Sequence, residues 1–208
     1  MQFPTNRRPS VICLSALAAA LCAGVAAHAA PVTYQIDPSH TYPSFEADHM
    51  GVSIWRGKFD RSKGHVMLDR DSGTGSVDID IDLSSVDFGE KKLDAWAIGK
   101  DFFDTSKFPH ATYKGKLDGF ANGAPTKVVG ELNLHGVTRP VELRINSFKC
   151  IPHPMFKREM CGADAFATFD REAFGLTAGK DYGFRMDVSL RIQVEALAGT
   201  TAADVKKP

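Results

Sequence analysis

GELNLHGVTRPVELRI, residues 130–145, reads as a β-hairpin. Leu132 and Leu134 alternate with Glu131, Asn133 and His135. After Gly136-Val137-Thr138-Arg139-Pro140 the alternation resumes, with Val141, Leu143 and Ile145 against Glu142 and Arg144. A period of two buries one face of a strand and wets the other.

The same signature recurs along the chain. Val32, Tyr34 and Ile36 share a face. Val77, Ile79, Ile81 and Leu83 point one way from SVDIDIDL and Asp78, Asp80 and Asp82 the other. Met186–Glu195 sets Val188, Leu190, Ile192 and Val194 opposite Asp187, Ser189, Arg191, Gln193 and Glu195. Further strands are expected at Ser44–His49, Arg56–Phe59, Gly64–Asp69, Ala111–Leu117 and Asp164–Phe169. Clusters of Gly, Asp, Ser, Asn and Pro at 69–73 and 121–125 separate them. Short strands at this spacing mean an all-β sandwich or barrel. One helix is expected at Glu90–Gly99, where Lys92, Leu93, Ala95 and Trp96 have helical spacing and Gly99 supplies a stop.

The first residues read as a signal peptide. Arg7 and Arg8 precede the uncharged apolar run Val11–Ala27, and Ala27-His28-Ala29 places cleavage after Ala29. The expected organisation is therefore a leader at 1–29, one domain at 30–198 and a disordered polar tail at 199–208. Neither Cys13 nor Cys22 follows the Leu-small-small pattern of a lipid-modified cysteine. Losing the leader reduces the 25 Lys and Arg to 23 against 25 Asp and Glu. A chain so close to neutral has no electrostatic reason to bind nucleic acid or an anionic membrane. No later segment is long and apolar enough for a membrane helix.

Cys150 and Cys161 remain after processing, and an even pair in an exported chain reads as a disulfide. The intervening CIPHPMFKREMC, with two prolines, reads as irregular loop, and a stapled cap over one end of the fold is the expectation for it.

Chemistry is sparse. His40, His49, His65, His110, His135 and His153 are scattered, without HExxH or HxH spacing. Ser39-His40 and Asp48-His49 are strand neighbours on opposite faces and make no dyad. There is no GxSxG and no CxxC. GTGS at 73–76 opens a strand, not a helix, so it is no P-loop. The enzyme alternative is a metal-dependent or hydrolytic site assembled from His40, Asp48 and His49. No metal or catalytic residue is assigned. A third alternative is a solid-core structural or stress-response barrel. At about eight strands an interior takes either packed side chains or one ligand.

Three segments carry a family resemblance: HMGVSIWRGKF (49–59), DFFDTSKFPHATYKG (101–115) and the hairpin above. Together, from about Tyr34 to Val194, they resemble the YceI-like family of periplasmic, lipocalin-like lipid-binding proteins. The resemblance implies an antiparallel eight-stranded barrel around an apolar tunnel, with no catalysis. Its ligand would be a polyisoprenoid, an isoprenoid quinone or a fatty-acid-like lipid, with no other cofactor. Alternation and resemblance together nominate Phe45, Met50, Phe59, Ile79, Ile81 and Phe103 for the lining. They also nominate Tyr113, Leu132, Leu134, Leu143, Phe169, Phe174, Phe184 and Met186. His49 and Arg56, with Arg139, are the expected polar groups of the mouth. The partners expected are that hydrophobic molecule and, in the homodimer option, a second copy of the chain. Neither nucleic acid nor stable membrane insertion is expected, and the location implied is the periplasm.

Overall fold

The computed structural model describes residues 2 and 30–199 of the chain. The expected signal peptide and all of the expected tail except Gly199 lie outside the described residues. The Gly199 N–H donates to the Thr33 carbonyl, 3.1 Å away.

Twelve strand segments form one antiparallel sheet. They are β1 (Val32–Ile36), β2 (Tyr42–His49), β3 (Ser53–Phe59), β4 (Ser62–Asp69), β5 (Thr74–Asp82) and β6 (Val86–Asp87). The chain continues through the helix α1 (Lys91–Ala97) into β7 (His110–Asp118), β8 (Lys127–Leu134), β9 (Val137–Pro140), β10 (Leu143–Pro152), β11 (Glu159–Asp170) and β12 (Asp187–Ala198). Four segments continue the one before them past a bend. β1 and β2 both run along the same edge of β12, β1 against Ala196–Ala198 and β2 against Val188–Gln193. On the next stave β4 follows β1 and β3 follows β2. β5 and β6 pair with β4 and β3 in turn, and β9 and β10 both pair with β8. The result is a closed up-and-down barrel of eight staves, which leaves the sheet almost no free edge.

Alternation sets the faces as the residues require. Val77, Ile79 and Ile81 of β5 point inward. Its outward acids meet basic side chains beside them: Asp78 faces Lys114 at 3.0 Å, Asp80 faces His110 at 2.9 Å, and Asp82, just before the bend, faces Arg61 at 2.9 Å. In β12, Val188, Leu190, Ile192 and Val194 likewise face in.

The 130–145 hairpin turns more tightly than its sequence suggests. The turn is only His135-Gly136, both at positive φ (53° and 77°), while Val137–Pro140 is a strand paired with Glu131–Leu134. Two successive left-handed residues match the twist of the flanking strands. α1 is shorter than the expected 90–99 span. The Glu90 side chain accepts from the Leu93 N–H at 2.8 Å and starts it, and Ile98 ends it.

The cysteine segment differs most from expectation. It is a hairpin, not an irregular loop: β10 runs to Pro152, β11 starts at Glu159, and Cys150 and Cys161 are opposite partners in the ladder with Cα atoms 4.0 Å apart and their sulfurs bonded. Its two prolines fall at the strand end and in the turn, where no ladder donor is needed. The segment extends the wall and does not form a separate cap.

An up-and-down barrel has two distinct ends. One carries the turns at 50–52 and 135–136 and the long connections 88–109 and 171–186; we call it the helix end. The other carries the turns 70–73, 119–126 and 153–158 together with residues 30 and 199. At this far end the Tyr34 hydroxyl donates to Glu159 at 2.5 Å, and Glu159 pairs with Arg70 at 2.7 Å.

Reduction of the Cys150–Cys161 bridge, or Cys150→Ser with Cys161→Ser, should lower unfolding stability by about 2–3 kcal/mol, the loop-closure value for so short a crossing. Denaturant unfolding with and without reductant measures it, with the barrel's circular dichroism retained before the transition.

Candidate functional site

The barrel is hollow. Its interior holds a cavity of about 270 Å³ walled almost wholly by apolar side chains, close to the lower end of ligand pockets, about 300 Å³. Along β11 the wall runs from Cys161 to Phe169. At strand rise and barrel tilt that is about 20 Å of axis.

Small inward residues make the space. Ala163 and Ala165 of β11, Ala47 of β2 and Ala111 of β7 line it. Gly57 of β3 serves the same end differently, because a Cβ there would sit 2.5 Å from the Phe45 ring that lies across it. A bulge in β10 between Ile145 and Ser147 exchanges the strand's faces. Leu143 and Ile145 face in before it, and Phe148 after it.

Eleven of the nominated residues stand on this wall. Phe45 and Phe59 come from the β2–β3 hairpin, Ile79 and Ile81 from β5, and Phe103 from the connection after α1. Tyr113, Leu132, Leu134 and Leu143 form the side opposite β12, and Phe169 and Phe184 sit toward the helix end.

Six nominated residues do not stand there. His49 lies past the end of the wall, its ring stacked on Trp55 at 4.0 Å, and Trp55 takes the lining place. Met50 is half exposed in the 50–52 turn at φ 57°. Arg56 points outward and pairs with Glu46 at 3.0 Å. Phe174 is buried behind the wall, edge-on to Phe169 at 5.3 Å. Met186 falls where the chain leaves the sheet, its carbonyl accepting from the Arg171 N–H at 2.9 Å. Arg139 is exposed on β9.

The polar groups that do face the cavity are others. Asp48 is 7% exposed and accepts from the Gly51 N–H at 3.0 Å and the Arg185 N–H at 3.3 Å. Burial alone would raise its pKa. The two backbone donors and the nearby Arg185 guanidinium outweigh that and hold it below the usual carboxylate value. Arg171, 6% exposed, donates to the carbonyls of Leu176 (2.6 Å) and Ala178 (2.7 Å), folding the 171–186 connection over the helix end. Tyr113 donates to the Val141 carbonyl at 2.8 Å, and burial pushes its phenol pKa well up, so it stays neutral. Asp48 stood in the sequence only as a catalytic candidate, and no periodic signal marks Arg171.

No catalytic set converges. His40 pairs with Asp37 at 2.7 Å beyond one end of β2, while Asp48 and His49 close the other, roughly 25 Å away at strand rise. Cys150, Glu159 and Cys161 cluster, but both sulfurs are taken by the disulfide.

Comparison with known proteins agrees with this geometry. The profile of the YceI-like domain matches residues 34–196. A UPF0312 protein of Vibrio cholerae is 30% identical over 126 residues, 60% of this chain and 67% of its own. Another, from Shewanella denitrificans, is 26% identical over 177 residues, 84% and 87% of the two chains. Among solved structures, Burkholderia cenocepacia BcnA superposes with a TM-score of 0.62 at 23% identity, over 77% of this chain and 99% of that one. A polyisoprenoid binding domain from Saccharophagus degradans, implicated in plant cell wall breakdown, superposes with a TM-score of 0.59 at 18% identity, over 81% and 99%. At these identities the structures speak for the fold.

The depressed pKa of Asp48 has a definite consequence. The folded state binds fewer protons there than the unfolded chain, so the stabilisation is complete above the unfolded value of about 4 and lost as pH falls through the lower folded value. Asp48→Asn should unfold at lower temperature than the parent at neutral pH, with the gap narrowing below about pH 4. Thermal unfolding across that range measures it.

Proposed function

The chain belongs to the YceI-like family, and on that premise we propose that its barrel binds one long-chain hydrophobic molecule and sequesters or carries it through an aqueous compartment. The observation that carries the reading is the apolar cavity inside the barrel, whose wall runs from the helix end toward the far end. Leaving one five-carbon isoprene unit in water costs roughly 3–4 kcal/mol. A prenyl chain of several units therefore needs a dry container to cross water. Walls of Phe, Leu, Ile, Val and Ala supply one, and they select by length and bore because they offer the chain nothing to hydrogen-bond.

The cargo class we favour is polyisoprenoid, including isoprenoid quinones and their precursors, with fatty-acid-like lipids next. The polyisoprenoid-binding domain of Saccharophagus degradans shares the fold and supports that order. Export to the periplasm fits the leader-like segment and the paired cysteines, since disulfides persist in oxidising compartments. The dispersal of His40, Asp48 and His49 favours binding over catalysis.

Native mass spectrometry of protein exported to a bacterial periplasm and purified without detergent tests the reading. A discrete added mass, released by organic solvent, is expected. Ile81→Trp and Leu143→Trp fill the cavity from opposite walls and should abolish that mass in folded protein. A parent that is always bare, or variants that keep the mass, would overturn the reading.

A further inference from the structure

The barrel has a seam at the helix end. β3 pairs with β2 along its length, yet on its other side it meets β6 only through Lys58 and Phe59. Beyond that the edge of β3 faces α1 across an outer groove, with Ile54, Trp55 and Arg56 on one bank and Phe88, Lys92 and Trp96 among those on the other. Trp55, Phe88 and Trp96 line both the groove and the interior cavity. The groove therefore backs onto the cavity wall at these three rings, and we call this seam the slit.

Around this slit the surface is apolar in a way the fold does not need. Val52, 82% exposed, tips the β2–β3 turn beside Met50, 50% exposed. Ile54 and Trp96 flank the slit at 41% and 43% exposure. Tyr182 is 76% exposed, two residues from Phe184, whose ring packs edge-on against Trp55 at 6.3 Å. Trp55 and Trp96 are the chain's only tryptophans. Trp and Tyr beside aliphatic tips, with cations set among them, are what the interfacial layer of a bilayer accepts. Here the cations are Arg56, paired with Glu46, and Lys92, which shares its bank with Glu90.

We propose that the helix end is a docking surface for a phospholipid bilayer, in which Met50, Val52, Ile54, Trp96 and Tyr182 enter the interfacial layer and bring the slit against the acyl region, so that cargo passes between membrane and barrel without crossing water. The inference rests on the carrier reading. The net charge is small, so attachment comes from apolar insertion and depends only weakly on salt.

The test uses the full exported chain and vesicles of phosphatidylethanolamine and phosphatidylglycerol. The protein should float with the vesicles, its tryptophan emission should shift to the blue, and phospholipids brominated in the acyl chains should quench it. Met50→Asp with Val52→Asp alters exposed turn positions only and should weaken vesicle binding roughly tenfold or more. Met155→Asp, in the turn at the far end, should not. Uptake of a prenyl alcohol from detergent solution, read by native mass, should survive in both variants. This readout separates a failure of docking from a failure of the carrier reading. Wild-type protein that ignores vesicles, or floats with unquenched tryptophans, would overturn the proposal, as would equal losses in both variants. Absent vesicle binding combined with loss of lipid delivery in cells carrying the Val52→Asp change would replace the bilayer with a protein partner.

Discussion

Every inward-facing side chain owes its dry surroundings to the ladder that β12 makes with β1 and β2. That one edge joins the last strand of the barrel to the first, with Ala196–Ala198 against β1 and Val188–Gln193 against β2. An eight-stave sheet left open here would expose both its edges and its whole apolar face. The chain makes the joint with a bend. Asp37 donates its N–H to the Glu195 carbonyl at 2.9 Å, and the Thr41 hydroxyl donates to the same carbonyl at 3.1 Å. The backbone between β1 and β2 thus stays tied to β12 while it changes direction.

A closed sheet does not by itself leave a hole. Eight staves can be filled by their own side chains, and the aromatic content here would suffice. The hole exists because β11 contributes alanine where its neighbours contribute Leu, Ile and Val. An empty apolar volume of this size forgoes contacts worth on the order of several kcal/mol. A ligand recovers them, so the loaded barrel is more stable than the bare one by linkage. That unfilled volume is what the proposed binding role requires, because a solid core would leave a ligand no room.

Much of this was legible in the letters. The runs in β5, β8 and β12 show their faces because each has one wet side, and alternation is an accurate record of that. The pairing expected of Cys150 and Cys161 is the disulfide the structure holds. What escaped is whatever breaks period two. The β10 bulge turns Phe148 inward against its strand's earlier phase, and no residue type announces it. Parity also ran on past the ends of strands. Met186 continues the inward phase of β12 just outside the strand, and His49, the last residue of β2 and paired with Ser53, stacks on Trp55, which takes the lining place. Arg171 was invisible for a related reason: its partners are carbonyls of its own connection, and those have no sequence signature.

The two ends of the barrel are closed by different forces, and this gives the cavity a direction. At the far end Tyr34 is bonded to Glu159 and Glu159 to Arg70, a charge-assisted chain tying β1, the β10–β11 hairpin and the turn after β4. Opening it would strand a buried hydroxyl and separate an ion pair. At the helix end the closure is made of rings: His49 on Trp55, Phe184 edge-on to both, and Trp96 stacked on Phe102 at 5.1 Å. Each such ring pair is worth only about 0.5–1.5 kcal/mol, less than breaking a buried charge-assisted hydrogen bond. Beneath them Asp48 holds the 50–52 turn and Arg171 holds the 171–186 connection by hydrogen bonds to backbone, so the frame of the mouth is rigid where its door is soft. A long apolar molecule entering at the helix end displaces only ring contacts and replaces them with its own, whereas entry at the far end would break polar bonds that it cannot replace.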